Sequence, residues 1–353
     1  MTSLKSEILI DANILRQNIK TIKNKLQKKS KFMAVIKSDA YGHNLLSIVK
    51  DIDDLVDGYG VVRIEEALEI RKQSNKKVLL MQGVYSKEEY ILSKNQKLDL
   101  VIHNNNQFNL IKDEENHEMF WYKVNTGMNR LGFEIPDFIK IYEKFLTEKQ
   151  FTLMSHLASS NDKDNPANES QFKSFNDLSN KLNKNILKSI ANTGCIMNFP
   201  EFSMDWVRCG IGIYGGYLKD DQLKTAMTLR SPIINIRSIK KGDKVGYDGR
   251  AIAKNDMKIA SVYLGYADGL PVTIKDGTSV MVNDQIAKVF GKVSMDLTTI
   301  DVTNILNCST GDWCEFFSPR LSISNIAKSN DLISYFLMTS VKSRVKKIYK
   351  NNK

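Results

Sequence analysis

Through roughly its first 215 residues the sequence repeats one pattern, and that pattern most restricts the fold. Short apolar segments alternate with amphipathic stretches. The strand-like segments are 31–36 (KFMAVI), 57–62 (DGYGVV), 77–81 (KVLLM), 98–102, 119–124 (MFWYKV), 151–155, 187–191 and 205–214. Between them, residues 11–27 place Ile14, Ile19, Ile22 and Leu26 at a helical period, and 63–72, 87–94, 104–113, 136–146 and 169–182 behave alike. Continuously apolar strands bury both faces, which calls for a parallel sheet covered by helices. Eight such units predict an α/β fold built on a (β/α)8 barrel of the TIM type. An open doubly wound sheet is the alternative.

After about Leu229 the texture changes. Segments 230–239, 244–249, 257–264, 278–282 and 285–290 are short, β-branched and interrupted by Gly and Asp. Such segments pair as antiparallel hairpins. One helix is expected near 322–328. The break at 216–229 divides the chain into a barrel over 1–225 and a mostly antiparallel β domain over 226–353. The length of 353 residues accommodates both.

The net charge of +11 (51 − 40) comes mostly from Lys, which supplies 41 of the 51 cationic residues. Nucleic-acid readers favour Arg for its bidentate geometry. Scattered Lys therefore reads as a solvated surface, with attraction of anionic substrates as a by-product. Neither a nucleic-acid nor a membrane partner is expected, since no apolar run approaches the ~18 residues of a span. Residues 1–7 lack the apolar stretch of a secretory leader. Cys195, Cys209, Cys308 and Cys314 show no C-x-x-C or zinc spacing, and only four His are present. Reduced thiols, a cytoplasmic protein and no metal follow as expectations.

Lys37 ends the first apolar strand. In a barrel that end faces the active site. Burial and crowding depress a Lys pKa and make the amine a nucleophile toward aldehydes. Residues 34–44, AVIKSDAYGHN, resemble the cofactor-lysine motif AVVKADAYGHG of alanine racemases. The family's later motifs follow in order. They are matched by 123–132 (KVNTGMNRLG), 155–158 (SHLA), 191–193 (ANT), 208–215 (RCGIGIYG), 264–269 (LGYADG), 291–296 (GKVSMD) and 343–345 (SRV).

The resemblance implies an alanine racemase dependent on pyridoxal 5′-phosphate. It would interconvert L- and D-alanine and supply D-alanine for peptidoglycan. Lys37 would hold the cofactor covalently. Tyr41, Asn192, Thr193, Gly210, Ile211 and Tyr335 would surround its phosphate, and His156 would pack against its ring. Arg208 would face the ring nitrogen. A guanidinium cannot accept a proton, so that nitrogen would stay unprotonated. Lys37 and Tyr266 would exchange protons on opposite faces of the substrate Cα. Arg130 and Met295 would bind the substrate, and Lys123 matches a lysine that is carbamylated in several family members. Tyr266 and Met295 would serve the barrel of a second copy, which implies a homodimer with shared sites.

The sequence departs from the family at Asn125, Asn129, Thr193, Asn44 and Cys209, and at Asn161 and Lys292 along the expected substrate approach. Asn tolerates positive φ, so Asn129 can replace Gly. Three alternatives stay open. One is a serine or broad-specificity racemase, since Tyr335, Ile333 and Met295 would discriminate by only ~1–3 kcal/mol. Another is a related decarboxylase, which Arg208 disfavours. The last is a catalytically silent binding protein.

Overall fold

The computed structural model describes residues 5–27, 29–218 and 221–350. The expectations for residues 1–4, Lys28 and positions 219–220 of the boundary segment fall outside these. The chain divides into two compact units, one of residues 19–40 and 44–213, the other of 1–18, 41–43 and 214–353.

Strand β1 (Glu7–Asp11) belongs to the second unit. The first unit is the barrel. Its strands are β2 (Lys31–Val35), β3 (Gly58–Val61), β4 (Lys77–Leu80), β5 (Asp99–Ile102), β6 (Phe120–Lys123), β7 (Thr152–Met154), β8 (Leu187–Ser189) and β9 (Trp206–Cys209). Each pairs in parallel with its sequence neighbour from β2 to β8, and β9 returns to β2. Between β8 and β9, the Arg208 N–H donates to the Ala191 carbonyl at 2.9 Å. All eight expected strands are present.

Met33, Leu79, Val101, Trp121, Met154 and Trp206 meet in one buried cluster. Side chains from six different strands converge only in the lumen, so these residues mark the inward face. Trp121 and Trp206 lie 5.7 Å apart between ring centroids. Along each strand the inward positions recur every second residue. That alternation carries Arg208 inward two residues beyond Trp206, and Lys123 two beyond Trp121.

In the second unit, β10 (Met227–Ile239), β11 (Lys244–Val245), β12 (Ala251–Ile252), β13 (Met257–Val262), β14 (Ser279–Val282), β15 (Gln285–Val289), β16 (Thr298–Asp301), β17 (Trp313–Phe317) and β18 (Lys346–Lys350) follow. The main sheet runs β13-β16-β15-β14-β17-β10-β1-β18, and a β10–β13 pairing closes six of these strands into a ring. Every pairing is antiparallel except β1–β18. Strand β10 leaves β17 at Pro232 and joins β13 through a register shift before Asn235. A proline cannot donate to a ladder, so the strand bends where it changes partner. Asn283 and Asp284 sit at φ 48° and 62°, a hairpin turn that the pairing β14–β15 requires.

Three features differ from expectation. Residues 7–11 form a strand flanked by β10 and β18, so the N-terminus joins the β unit rather than the barrel. The helix near 322–328 is present as Ile323–Ser329, and a second follows at Ser334–Ser340. The last barrel strand stops at Cys209 instead of 214, because the glycines after it turn toward Thr193. Among the described residues, no helix is long and apolar enough to cross a membrane.

Candidate active site

Four cationic side chains come from the C-terminal ends of the barrel strands or just beyond. Lys37 follows β2, Lys123 ends β6, Arg130 lies in the loop after β6, and Arg208 lies on β9. Burial lowers the pKa of Lys37, and Arg130 lowers it further, while Glu66 opposes. Burial likewise brings Lys123 down to about 8, assisted by Arg208, Arg130 and Lys37. His156 is held well below the ordinary imidazole value by burial and by Arg208, Lys123, Arg130 and Lys37. It is therefore neutral at pH 7. Among the described residues, Glu66 is the one carboxylate that acts on Lys37, Lys123, His156 or Arg208. Such a pocket demands anions.

Arg208 is buried, and burial lowers its pKa to about 10. Its Nη1 donates to Ser189 Oγ, and Nη2 donates to the Ser155 carbonyl at 2.6 Å. Nη2 also faces His156 Nδ1 at 3.4 Å. Arg is a pure donor, so that Nδ1 accepts and the His156 proton sits on Nε2. Arg208 Nε is buried with no hydrogen-bond partner among the described residues. A buried, unsatisfied charged donor is costly, and one held in place by its neighbours marks where an acceptor is to come.

After Lys37 the backbone turns the wrong way for L-residues. Ser38, Asp39, Ala40 and Tyr41 have φ of 56°, 53°, 52° and 54°. Left-handed helix costs about 1–2 kcal/mol per residue. Local bonds hold the turn. Ala40 N–H donates to the Ile36 carbonyl at 2.9 Å, Asp39 N–H donates to Glu66 Oε1 at 3.2 Å, and Asp39 Oδ1 accepts from Leu45 N–H at 2.8 Å. Strain over-determined in this way concentrates at functional sites.

Asn192, Thr193, Gly210 and Ile211 meet after β8 and β9. Asn192 caps the helix Thr193–Asn198, its Oδ1 accepting from Cys195 N–H at 3.0 Å and from Ser160 Oγ at 2.6 Å. The Thr193 hydroxyl accepts from Gly210 N–H at 3.3 Å and Gly212 N–H at 3.4 Å. At Gly212 a Cβ would come within 2.8 Å of Thr193 Cγ2, so only glycine lets the backbone approach. Backbone N–H groups and a hydroxyl thus gather at one place, the donor types that anion-binding turns use.

The other unit holds the remaining candidates. Tyr41 stacks on Tyr214 at 4.7 Å and meets Tyr335 at 5.8 Å between centroids. Tyr266 and Met295 lie together, because Tyr266 N–H donates to the Ser294 carbonyl and Ala267 N–H to the Met295 carbonyl. Asp268 anchors this corner. It accepts from Gly265 N–H at 2.9 Å and pairs with Arg344 at 2.9 Å, while Arg344 also reaches Asp296 at 2.8 Å. Three separate sequence motifs thus meet at one arginine. Tyr266 is 42% and Met295 55% exposed, and both line an open groove of about 900 Å³ with Tyr247, Leu270, Val272 and Phe336.

Sequence comparison draws these parts together. The family model described as "Alanine racemase, N-terminal domain" matches residues 10–218, and "Alanine racemase, C-terminal domain" matches 226–349. The chain belongs to the alanine racemase family. An alanine racemase of Alteromonas mediterranea is 35% identical over 99% of both chains. The alanine racemase structure from Acinetobacter baumannii superimposes with a TM-score of 0.93 at 31% identity, covering 98% of this chain and 100% of that one. The Bartonella henselae alanine racemase, with covalently bound pyridoxal phosphate, gives 0.86 at 26% identity, covering 98% and 99%.

Departures from the family's motifs find physical accounts here. Asn129 has φ 54°, as a residue standing in for glycine should. Asn125 Oδ1 accepts from the N–H groups of Gly127 and Asn129, and its amide donates to Asn129 Oδ1 and Glu134. The amide thus organises the loop that carries the exposed Arg130. Asn44, where the family has glycine, has φ 67° and caps the helix Leu45–Ile52. Cys209 is buried, and its thiol lies 3.4 Å from Thr193 Oγ1. Lys292 pairs with Asp248 at 3.0 Å. Asn161 packs against Gly194, next to Thr193. Residue-type reasoning missed Glu66, Ser155 and Ser189. A serine at the end of a strand carries no signal until the arginine it meets on another strand is known.

Proposed function

We propose that this chain is a cytoplasmic alanine racemase that uses pyridoxal 5′-phosphate and acts as a homodimer, supplying D-alanine for peptidoglycan. The observation that carries the reading is Arg208 Nε, a buried donor with no partner among the described residues, at the mouth of a barrel otherwise crowded with cations. A pyridine nitrogen is an acceptor and a phosphate is a dianion, so the residues present fit the cofactor. Lys37 would hold it through its amine, Arg208 Nε–H would meet the ring nitrogen, and His156 would lie against the ring. Asn192, Thr193, Gly210 and Ile211 would hold the phosphate, with Tyr41 and Tyr335 contributing hydroxyls. When bound, the cofactor would supply an aldehyde for the substrate's amino group and a conjugated ring that delocalises the electron pair left at Cα.

The chain's own groups then move protons. The depressed pKa of Lys37 leaves its amine free to take or give a proton on one face of Cα. Tyr266 of the partner subunit serves the other face. Its phenol sits exposed within one chain, which suits completion of a second copy's barrel. Arg130 and the backbone N–H of Met295 would fix the substrate carboxylate. Lys123, buried and without a hydrogen-bond or ion-pair partner among the described residues, would carry a carbamate that braces Arg130. Four free thiols accord with a reducing compartment.

The test is colour and label. Purified protein should show a visible absorbance band that borohydride abolishes, leaving the cofactor on Lys37. It should convert L-alanine faster than L-serine. A protein that stays colourless after incubation with the cofactor sinks the reading.

A further inference from the structure

His103 is a buried titratable group with no task in the reading above. It stands one residue past β5, as Lys123 ends β6. The β5–β6 ladder pairs Val101 with Trp121 and Ile102 with Tyr122. Carried one residue past the end of β5, that register would set His103 opposite Lys123, on strands about 4.8 Å apart, and the Lys123 charge does act on the His103 ring. Val101 and Trp121 face the lumen. Two residues on, the alternation turns His103 and Lys123 to that same interior face. They are 7% and 5% exposed. After burial, Lys123 is the next cause depressing the His103 pKa.

The ring's proton can be located. Asn104 caps the helix Asn105–Ile111, with its Oδ1 accepting from Gln107 N–H at 2.9 Å. That fixes the amide, so Asn104 Nδ2 is the donor to His103 Nδ1 at 3.3 Å. Nδ1 accepts, and the proton of the neutral ring is on Nε2. Nε2 is buried and meets no partner among the described residues. The backbone carbonyls of His103 and Gln82 lie near enough to favour a charged ring, yet Nε2 makes no hydrogen bond of its own among the described residues, and it stands near an amine with no counter-charge. Each alone is unfavourable.

We propose that His103 is the positioning residue for a carbamate on Lys123, with its Nε2–H donating to one carbamate oxygen and leaving the other for Arg130. The inference rests on the reading of Lys123 as carbamylated. The neutral Nζ attacks the carbon of carbon dioxide. An N–C bond forms, one C=O π pair moves onto oxygen, and Nζ releases a proton to water, with no change of oxidation state. The product gives the orphaned Nε2–H an acceptor. It also sets a negative charge among Lys37, Arg130 and Arg208.

The experiment uses holoenzyme titrated with 13C-bicarbonate, reading the protein carbamate resonance by NMR. The parent should show the resonance and Lys123→Ala should lack it. In His103→Ala the half-saturating bicarbonate should rise tenfold or more, the loss expected for one buried hydrogen bond to a charged group. His103→Gln, which keeps an N–H donor, should recover most of that loss. In the unmutated protein, the His103 Nε2–H proton should move downfield on adding bicarbonate, and it should not move in Lys123→Ala. No carbamate in the parent would overturn the reading of Lys123 and this inference with it. A carbamate that forms in His103→Ala at the parent's bicarbonate concentration, or an Nε2–H proton indifferent to bicarbonate, overturns the role of His103 alone.

Discussion

Replacing Lys123 by Met tests the electrostatics of the barrel mouth most directly. The side chain is 5% exposed and pairs with nothing among the described residues. Its pKa falls from the ordinary 10.5 to about 8, chiefly through burial. The unfolded chain therefore holds this proton more tightly than the folded one. From 10.5 to about 8 at 1.36 kcal/mol per pH unit, the charged form opposes folding by roughly 3 kcal/mol at pH 7. Between pH 8 and 10.5 the folded state sheds the proton while the unfolded state keeps it, so the penalty fades as pH rises. Met has similar length and no charge. In cofactor-free protein and carbon-dioxide-free buffer, Lys123→Met should be more stable than the parent by about 3 kcal/mol at pH 7. The difference should shrink by about 1.4 kcal/mol per pH unit above pH 8. Urea unfolding of both proteins across this range measures it, and groups common to both cancel. A parent as stable as the variant at pH 7, or a difference flat in pH, refutes the argument. Bicarbonate should stabilise the parent and leave Lys123→Met unchanged.

Other outcomes are expected. Lys37→Ala should abolish D-alanine formation and the borohydride-trapped label, as read by chiral chromatography and peptide mapping. Tyr266→Phe should slow deuterium wash-in from one alanine enantiomer more than from the other, and equal slowing would count against two bases on opposite faces. Trp206→Ala should cost about 3–5 kcal/mol in urea unfolding, because Trp206 fills the barrel lumen against Trp121. Asn129→Val should destabilise by more than about 1 kcal/mol while Asn129→Gly stays near the parent, since φ is 54° there.

Much of the barrel was legible because its strands are buried on both faces and its helices on one. The two periods differ enough to be read without contacts. The edges were less legible. Residues 205–214 read as one strand, yet the ladder ends at Cys209, because Gly210 and Gly212 are drawn to a hydroxyl contributed by Thr193. The segment 7–11 carries no neighbour-independent sign that it pairs with residues 227–230 and 346–350. The helix Leu45–Ile52 went unread behind a left-handed turn that residue types do not announce. Among the site residues, Lys37, Lys123, Arg130, His156 and Arg208 stood out through motif order. Glu66, Ser189 and His103 did not, and Ser155, though it heads the motif at 155–158, carried no role of its own, since each acts through a partner distant in sequence.

The order of residues alone determined the alternation of strands and helices, the change to hairpins, and the succession of motifs that assigns the family. Those properties are local or sequential, and need no knowledge of what lies across the barrel. Only the folded chain decided that, among the described residues, Glu66 is the one carboxylate acting on the buried cations of the barrel mouth, that Arg208 Nε meets no acceptor, and that His103 comes within reach of the Lys123 charge. Charge balance and hydrogen-bond satisfaction are sums over neighbours in space, and a linear sequence does not contain those sums until the strands are paired.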